Sequence, residues 1–132
     1  MPDTPSNQQA YPQSTSQTPG VGFPLARVAA VVSLSCGSIL DLAVAAYSGK
    51  GQGEVTLLRQ LWDLFRPGDV VLTDALMSNY RTLCSLKQRG VDMVTRINKA
   101  LRKADFRRGK RLAKNDHLVR WPKPFIRDMD RE

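Results

Sequence analysis

The sequence has few of the residues that build zinc sites and no apolar run long enough to cross a membrane. Of its 132 residues, two are cysteine and one is histidine. Cys36 and Cys84 lack CxxC spacing, and with His117 alone they cannot form a familiar zinc site. Residues 28–40, the longest apolar-leaning run, are fewer than the roughly 20 residues of a transmembrane helix. We interpret both cysteines as buried thiols in a reducing compartment, and we expect no membrane partner and a cytoplasmic location.

Basic residues outnumber acidic ones in the C-terminal part of the chain and equal them in the rest. The net charge is +8 and the sequence pI is about 10.0. Residues 1–95 hold 7 Lys/Arg and 7 Asp/Glu, whereas residues 96–132 hold 13 Lys/Arg and 5 Asp/Glu. The whole excess therefore belongs to the C-terminal part, and it predicts a polyanionic partner such as nucleic acid.

The densest basic run is "RINKALRKADFRRGKR", residues 96–111, in which Asp105 is the single acid. Such a run is commonly a solvated surface, but its density and Phe106, which can stack on a base, also suit nucleic acid. Lys50, in the glycine-rich connector "SGKGQGE", is a weaker candidate. The predicted phosphate contacts are Arg102, Lys103, Arg107, Arg108, Lys110, Arg111 and Lys50.

The first half of the chain predicts an arm, a hairpin and a helix. Residues 1–22 are polar and proline-rich, which favours an extended or disordered arm and no signal peptide. "ARVAAVVSLS" and "SILDLAVAAY" read as two strands that turn at Gly37. Residues 54–65 have helical spacing, and the predicted apolar face is Val55, Leu58, Leu61, Trp62 and Phe65.

The second half predicts a strand, a helix and a further strand. Residues 69–73 read as a buried strand, and Ser78 or Asn79 can cap a helix that Gly90 closes. Residues 91–97 alternate as a strand, and "HLVRW" is a candidate strand in the basic segment. The predicted face of the helix is Tyr80, Leu83, Cys84 and Lys87. The fold class is therefore α/β, one layer with an antiparallel hairpin and a parallel portion.

An aspartate follows directly on the strand in "GDVVLTDALMSNY". Ligands bind at the carboxyl ends of parallel strands, where Asp74 can hold a metal ion or act as a base. Aspartate at this position also commonly caps the following turn through its side chain. Position alone leaves both interpretations open.

Four segments together resemble bacterial insertion-sequence transposases of the DDE class, in the family named after insertion sequence four. They are "MPDTPSNQQAYPQ", "GFPLARVAAVVSLSCGSILDLAVAAYSGKGQGE", "GDVVLTDALMSNY" and "DFRRGKRLAKNDHLVRWPKP". The resemblance implies an incomplete RNase H-like core over residues 23–97 and the start of a DNA-facing β insertion over residues 98–132. It implies that Asp74 is the second of three catalytic carboxylates, which bind two Mg²⁺ ions for phosphoryl transfer.

The sequence departs from this family at three places. The first carboxylate belongs to a motif that precedes the segment matching "MPDT", and the third to a region beyond "WPKP" that Glu132 does not reproduce. Ala75 and Leu76 stand where many members have Arg and then Gly or Glu. We therefore expect a truncated bacterial transposase that binds DNA, is inactive alone, and can form oligomers with the full-length enzyme.

Three alternatives stay open at this point. The chain can be a non-catalytic DNA-binding or regulatory module, in which Asp74 plays no part. It can be an unrelated small α/β domain, in which Asp74 is a cap. It can also fail to fold stably, because a sheet that lacks a central strand exposes an edge that invites aggregation.

Overall fold

Helices and strands follow one another largely as the apolar spacing predicts, which confirms the α/β class. The computed structural model describes residues 1–98, 105 and 107–124. In chain order the elements are helix α1 (Pro5–Ala10), strands β1 (Ala26–Val32) and β2 (Ile39–Ala46), helix α2 (Glu54–Gln60), strand β3 (Val70–Thr73), helix α3 (Tyr80–Gln88), and strands β4 (Asp92–Thr95), β5 (Lys110–Ala113) and β6 (Asp116–Leu118). None of the helices in these ranges combines the length and the apolar character needed to cross a membrane.

The strands form three separate sheets within the described residues, where the sequence predicted one layer. β1 pairs antiparallel with β2, β3 pairs parallel with β4, and β5 pairs antiparallel with β6. The chain divides into two compact units, Met1–Arg66 and Pro67–Glu132. The first sheet belongs to the first unit and the other two to the second.

The core of the first unit lies between α2 and one face of the β1–β2 hairpin. Ala43 and Ala45 are buried on this face, and their small side chains leave room for the leucines of α2. Leu58 and Leu61 are buried as predicted, but Leu57, which the spacing argument omitted, is the most buried residue of the helix. The other face of the hairpin, which carries Val28, Leu42 and Val44, is exposed.

The turn between β1 and β2 exposes a cysteine that was predicted to be buried. Gly37 has φ of +69°, which permits the reversal that follows Cys36. The Cys36 side chain lies outside both strands and is exposed, while Cys84 on α3 is half-buried. Hydrogen bonds with Ser33 and then Ser38 lower the pKa of Cys36 to about 7, because they stabilise the thiolate.

Residues 1–22, which composition predicted as an extended or disordered arm, contain the short helix α1 and several hydrogen bonds between side chains and the backbone. The Thr4 hydroxyl caps α1 by accepting the Asn7 N–H (3.3 Å), and Pro5 occupies the first helical position. Further along, Gln13 Oε1 accepts the N–H groups of Gly20 and Gly22, both at 3.1 Å. Glutamine side chains thus form hydrogen bonds with backbone groups in a segment that has few apolar side chains to bury.

In the second unit, α3 covers one face of the β3–β4 pair. Asn79 is the cap, since its Oδ1 accepts the Thr82 N–H at 2.9 Å. Leu86 on α3 and Val91, which directly precedes β4, are buried. Val70 and Leu72 of β3 are 64% and 63% exposed, so the prediction of a buried strand is wrong for this face. No helix or strand among the described residues covers the other face of the β3–β4 pair.

Candidate nucleic-acid-binding site

Residues 107–118, which we call the basic hairpin, bring cationic side chains together on two short exposed strands. Ala113 pairs with Asp116, so Lys114 and Asn115 form a two-residue turn, and a register shift lies between Arg111 and Ala113. The cations of the basic hairpin that the structure describes are Arg107, Arg108, Lys110, Arg111 and Lys114, and all are exposed.

The start of the basic hairpin is held against β6. His117 Nδ1 lies 3.0 Å from the Arg108 carbonyl oxygen. Gly109 has φ of +84°, and a Cβ at this position would collide with the carbonyl oxygen of Leu118. The backbone at Arg108 is therefore placed by close contact with the second strand, and only glycine fits beside it.

Asp105 binds both arginines at the entrance to the basic hairpin. Its carboxylate lies 3.0 Å from Arg107 Nε and 3.5 Å from Arg108 Nε. The hydrogen bond from the Arg107 side chain is the main cause that lowers the pKa of Asp105, and it raises the pKa of Arg107. Two of the arginines predicted to contact phosphate, Arg107 and Arg108, are therefore engaged by a carboxylate when no other anion is near.

The predicted DNA contacts fall into three groups. Arg107, Arg108, Lys110 and Arg111 lie together on the basic hairpin. Arg102 and Lys103, with Phe106 as the predicted stacking residue, lie outside the described residues. Lys50 is exposed in a turn of the first unit. Lys114 is not among the predicted contacts, because the densest basic run covers residues 96–111 only. The segment "KRLAKNDH" is nevertheless consistent with two short strands joined by a turn at Lys114.

Asp74, the residue predicted to be catalytic and to bind metal, follows β3 at the carboxyl end of the parallel pair. Its Oδ1 accepts the Leu76 N–H at 3.0 Å, which caps a 3₁₀ turn over Ala75–Met77. Its carbonyl oxygen accepts the Thr95 hydroxyl at 2.6 Å, so the end of β4 also holds this backbone. The capping role, which the sequence left open, is the one that these contacts show.

The carboxylate set that the resemblance implies for Mg²⁺ is not present in the described part of the chain. No group of three His, Cys, Asp or Glu side chains there could hold a metal ion. Leu76, one of the two departures from the family motif, supplies the N–H that binds Asp74. The described residues therefore do not fit a two-metal centre, and we derive no catalytic step from them.

A shallow pocket of about 350 Å³ lies beside α3 and was not anticipated from the sequence. Trp121 packs edge-on against Tyr80 with ring centroids 6.5 Å apart, and both line the pocket. A hydrogen bond with Cys84 raises the pKa of Tyr80. Lys87 and Asp92 at the rim form an ion pair of 2.7 Å with each other. Its polar groups thus satisfy one another, which weakens the case for a ligand site.

The comparisons with known proteins identify no relative of this chain. No protein-family model matches it, and neither a curated protein nor a solved structure does. The resemblance to DDE transposases therefore stays a prediction that the quoted segments carry.

Proposed function

We propose that this chain binds DNA through backbone phosphates, with the basic hairpin as the contact surface. The observation that carries the proposal is the concentration of five exposed cations on residues 107–114, against Asp105 and Asp116 in the same region. Neutralising phosphates with Lys and Arg releases condensed counterions, which supplies most of the affinity of sequence-independent binding.

The form of the surface supports duplex DNA as the partner. The major groove of B-DNA is wide enough for a two-stranded β ribbon, and phosphates line both of its edges. Lys114 lies at the tip of the ribbon, while Arg107 and Arg108 lie at its base. Side chains so distributed can contact phosphates along the ribbon without reading bases.

The proposal predicts strong salt dependence. Five phosphate contacts correspond to a slope of about −4.5 in log K against log salt. The double variant Lys110→Glu/Arg111→Glu should weaken binding of a fluorescent 20-base-pair duplex at least about tenfold and flatten the slope by about 2 units. Fluorescence anisotropy from 50 to 200 mM salt measures both quantities.

Lys87→Glu is the control for charge reversal outside the basic hairpin; it reverses one charge on α3, where the double variant reverses two. It should change affinity by less than about threefold. Lys50→Glu tests the weaker candidate in the first unit in the same assay. Wild-type binding that is flat with salt, or equal losses for Lys87→Glu and the double variant, would contradict the proposal.

We further propose that the chain derives from a DDE transposase with an RNase H-like core. Support comes from the order of elements: a hairpin, a helix, a strand that ends at Asp74, a helix and a parallel strand. Asp74 follows the carboxyl end of β3, and the resemblance implies a catalytic carboxylate at the end of such a strand. In this proposal DNA binding persists without strand cleavage by this chain alone.

Asp74→Asn tests the expected inactivity, because asparagine keeps an oxygen that caps the turn and loses the negative charge. We expect DNA affinity within about twofold of wild type and no nicking of duplex DNA by either protein in the presence of Mg²⁺. Nicking by the purified wild-type chain that requires Mg²⁺ and disappears in Asp74→Asn would overturn the expected inactivity. It would leave the DNA-binding proposal standing.

A further inference from the structure

We propose that Asp105 is an internal competitor for DNA phosphate, which occupies and orients Arg107 and Arg108 until a phosphate replaces it. This inference rests on the proposed function, since it concerns how the basic hairpin meets the DNA backbone. It assigns a role in affinity to a negatively charged residue that does not itself contact DNA.

The contacts place one carboxylate against two guanidinium groups. Arg107 donates from Nε to Oδ1 at 3.0 Å and from Nη2 to Oδ2 at 3.4 Å. Arg108 approaches the same Oδ2 through Nε at 3.5 Å. A phosphate offers the same paired oxygens that a carboxylate does, and guanidinium binds both by parallel hydrogen bonds.

Exposure shows that an incoming phosphate can reach both arginines. The side chains of Arg107 and Arg108 are 91% and 86% exposed, whereas the Asp105 side chain is 33% exposed. Asp105 thus lies behind the guanidinium groups, which present their remaining donors to solvent. Exposed ion pairs of this kind are weak, so a polyanion can displace the carboxylate.

Asp105 also builds the turn that carries the arginines. Its Oδ1 accepts the Arg107 N–H at 3.0 Å, and its carbonyl oxygen accepts the Arg108 N–H at 3.3 Å. The contact of His117 with the Arg108 carbonyl then fixes this turn against β6. The charge of Asp105 therefore opposes phosphate, while its oxygen atoms position the arginines for it.

Asparagine at position 105 separates the two effects. Asp105→Asn keeps an Oδ1 acceptor for the Arg107 N–H and removes the charge that competes with phosphate. Two weak exposed pairs correspond to a gain in duplex affinity of about three- to tenfold at 100 mM salt. Because phosphate displaces Asp105 in the wild-type complex as well, both arginines already count in its slope, and the salt slope of Asp105→Asn should stay near about −4.5.

Asp116→Asn is the control for net charge, because it makes the same change on β6 without touching either arginine. We expect at most about a twofold gain and an unchanged slope. Asp105→Ala removes the side-chain acceptor as well, so its gain should be smaller than that of Asp105→Asn. Circular dichroism of all three variants checks that the fold is retained.

The outcomes separate this inference from the proposed function. If the wild-type chain binds with the predicted salt slope but Asp105→Asn matches Asp116→Asn in affinity, internal competition is wrong and DNA binding stands. If Asp105→Ala binds as tightly as Asp105→Asn, the orienting role is wrong. If Lys110→Glu/Arg111→Glu binds the duplex with the same affinity as the wild-type chain, the proposed function itself fails.

Discussion

At the scale of single residues, Thr82 has a buried hydroxyl without a hydrogen-bond partner in the part of the chain that the structure describes. It is fully buried on α3, and its hydroxyl has no hydrogen-bond partner among the described residues. Its backbone N–H is satisfied by the Asn79 cap, so only the side chain is in conflict with its surroundings. A hydroxyl removed from water without a hydrogen bond lowers stability.

Thr82→Val should therefore stabilise the protein by about 1 kcal/mol, because valine has the same shape and no hydroxyl. The two residues have similar helix propensities, so the helix itself contributes little to the difference. Urea unfolding followed by circular dichroism measures the change. Thr82→Ser is the matched control: it keeps the hydroxyl, loses a methyl group and should destabilise. A loss of stability in Thr82→Val would show that the hydroxyl has a partner.

Asp74 shows how far residue-level reasoning reached at the site. The sequence located it at the end of a strand, and the structure places it there. The choice between cap and metal ligand could not be made from position, because both roles use the same strand end. The structure shows the cap through the contact with the Leu76 N–H, and that contact depends on how the following three residues turn.

The arginines of the basic hairpin show a different limit. Counting charges identified Arg107 and Arg108 as candidates and Asp105 as the one acid in their run. The count treated the cations as free, although all three side chains meet at one turn. The sequence shows Asp105 two and three residues before the arginines. Whether their side chains meet depends on the backbone turn that Gly109 and β6 impose.

At the scale of elements, strands were predicted more accurately than helix faces. β1, β2, β3 and β4 lie within the predicted segments, because alternation and glycine turns are local signals. For α3 the predicted stripe began at Tyr80 and Leu83, whereas the structure buries Thr82 and Leu86. Both stripes have helical spacing, and the packing against β4 selects one of them.

Residues 1–22 show the largest difference at this scale between what composition predicts and what the structure describes. Composition rich in Pro, Gln, Ser and Thr predicted disorder, since little of it can be buried. The structure instead satisfies backbone groups with Gln8 and Gln13, whose amides reach as far as Gly22. Composition does not carry such pairings, because they depend on where each amide lies after the chain turns.

At the scale of the whole molecule, excess positive charge is concentrated at one end of the chain, whereas exposed apolar side chains occur on strands of all three sheets. The excess positive charge lies in residues 96–132, whereas exposed apolar side chains lie on the strands of both units. The β1–β2 hairpin and the β3–β4 pair each have one face covered by a helix and the other exposed. Val28 and Leu42 illustrate the exposed face in the first unit, and Leu72 and Val94 in the second.

Exposed apolar sheet faces of this kind favour association. We expect the purified chain to self-associate as its concentration rises, and Leu42→Lys/Leu72→Lys to suppress this, because each lysine puts a charge at the centre of one exposed face. Sedimentation velocity over a concentration series measures the effect. Val21→Lys is the matched control, since Val21 is 74% exposed but lies outside every strand. If Val21→Lys suppresses association as well as either sheet substitution does, net charge and not the sheet faces controls it.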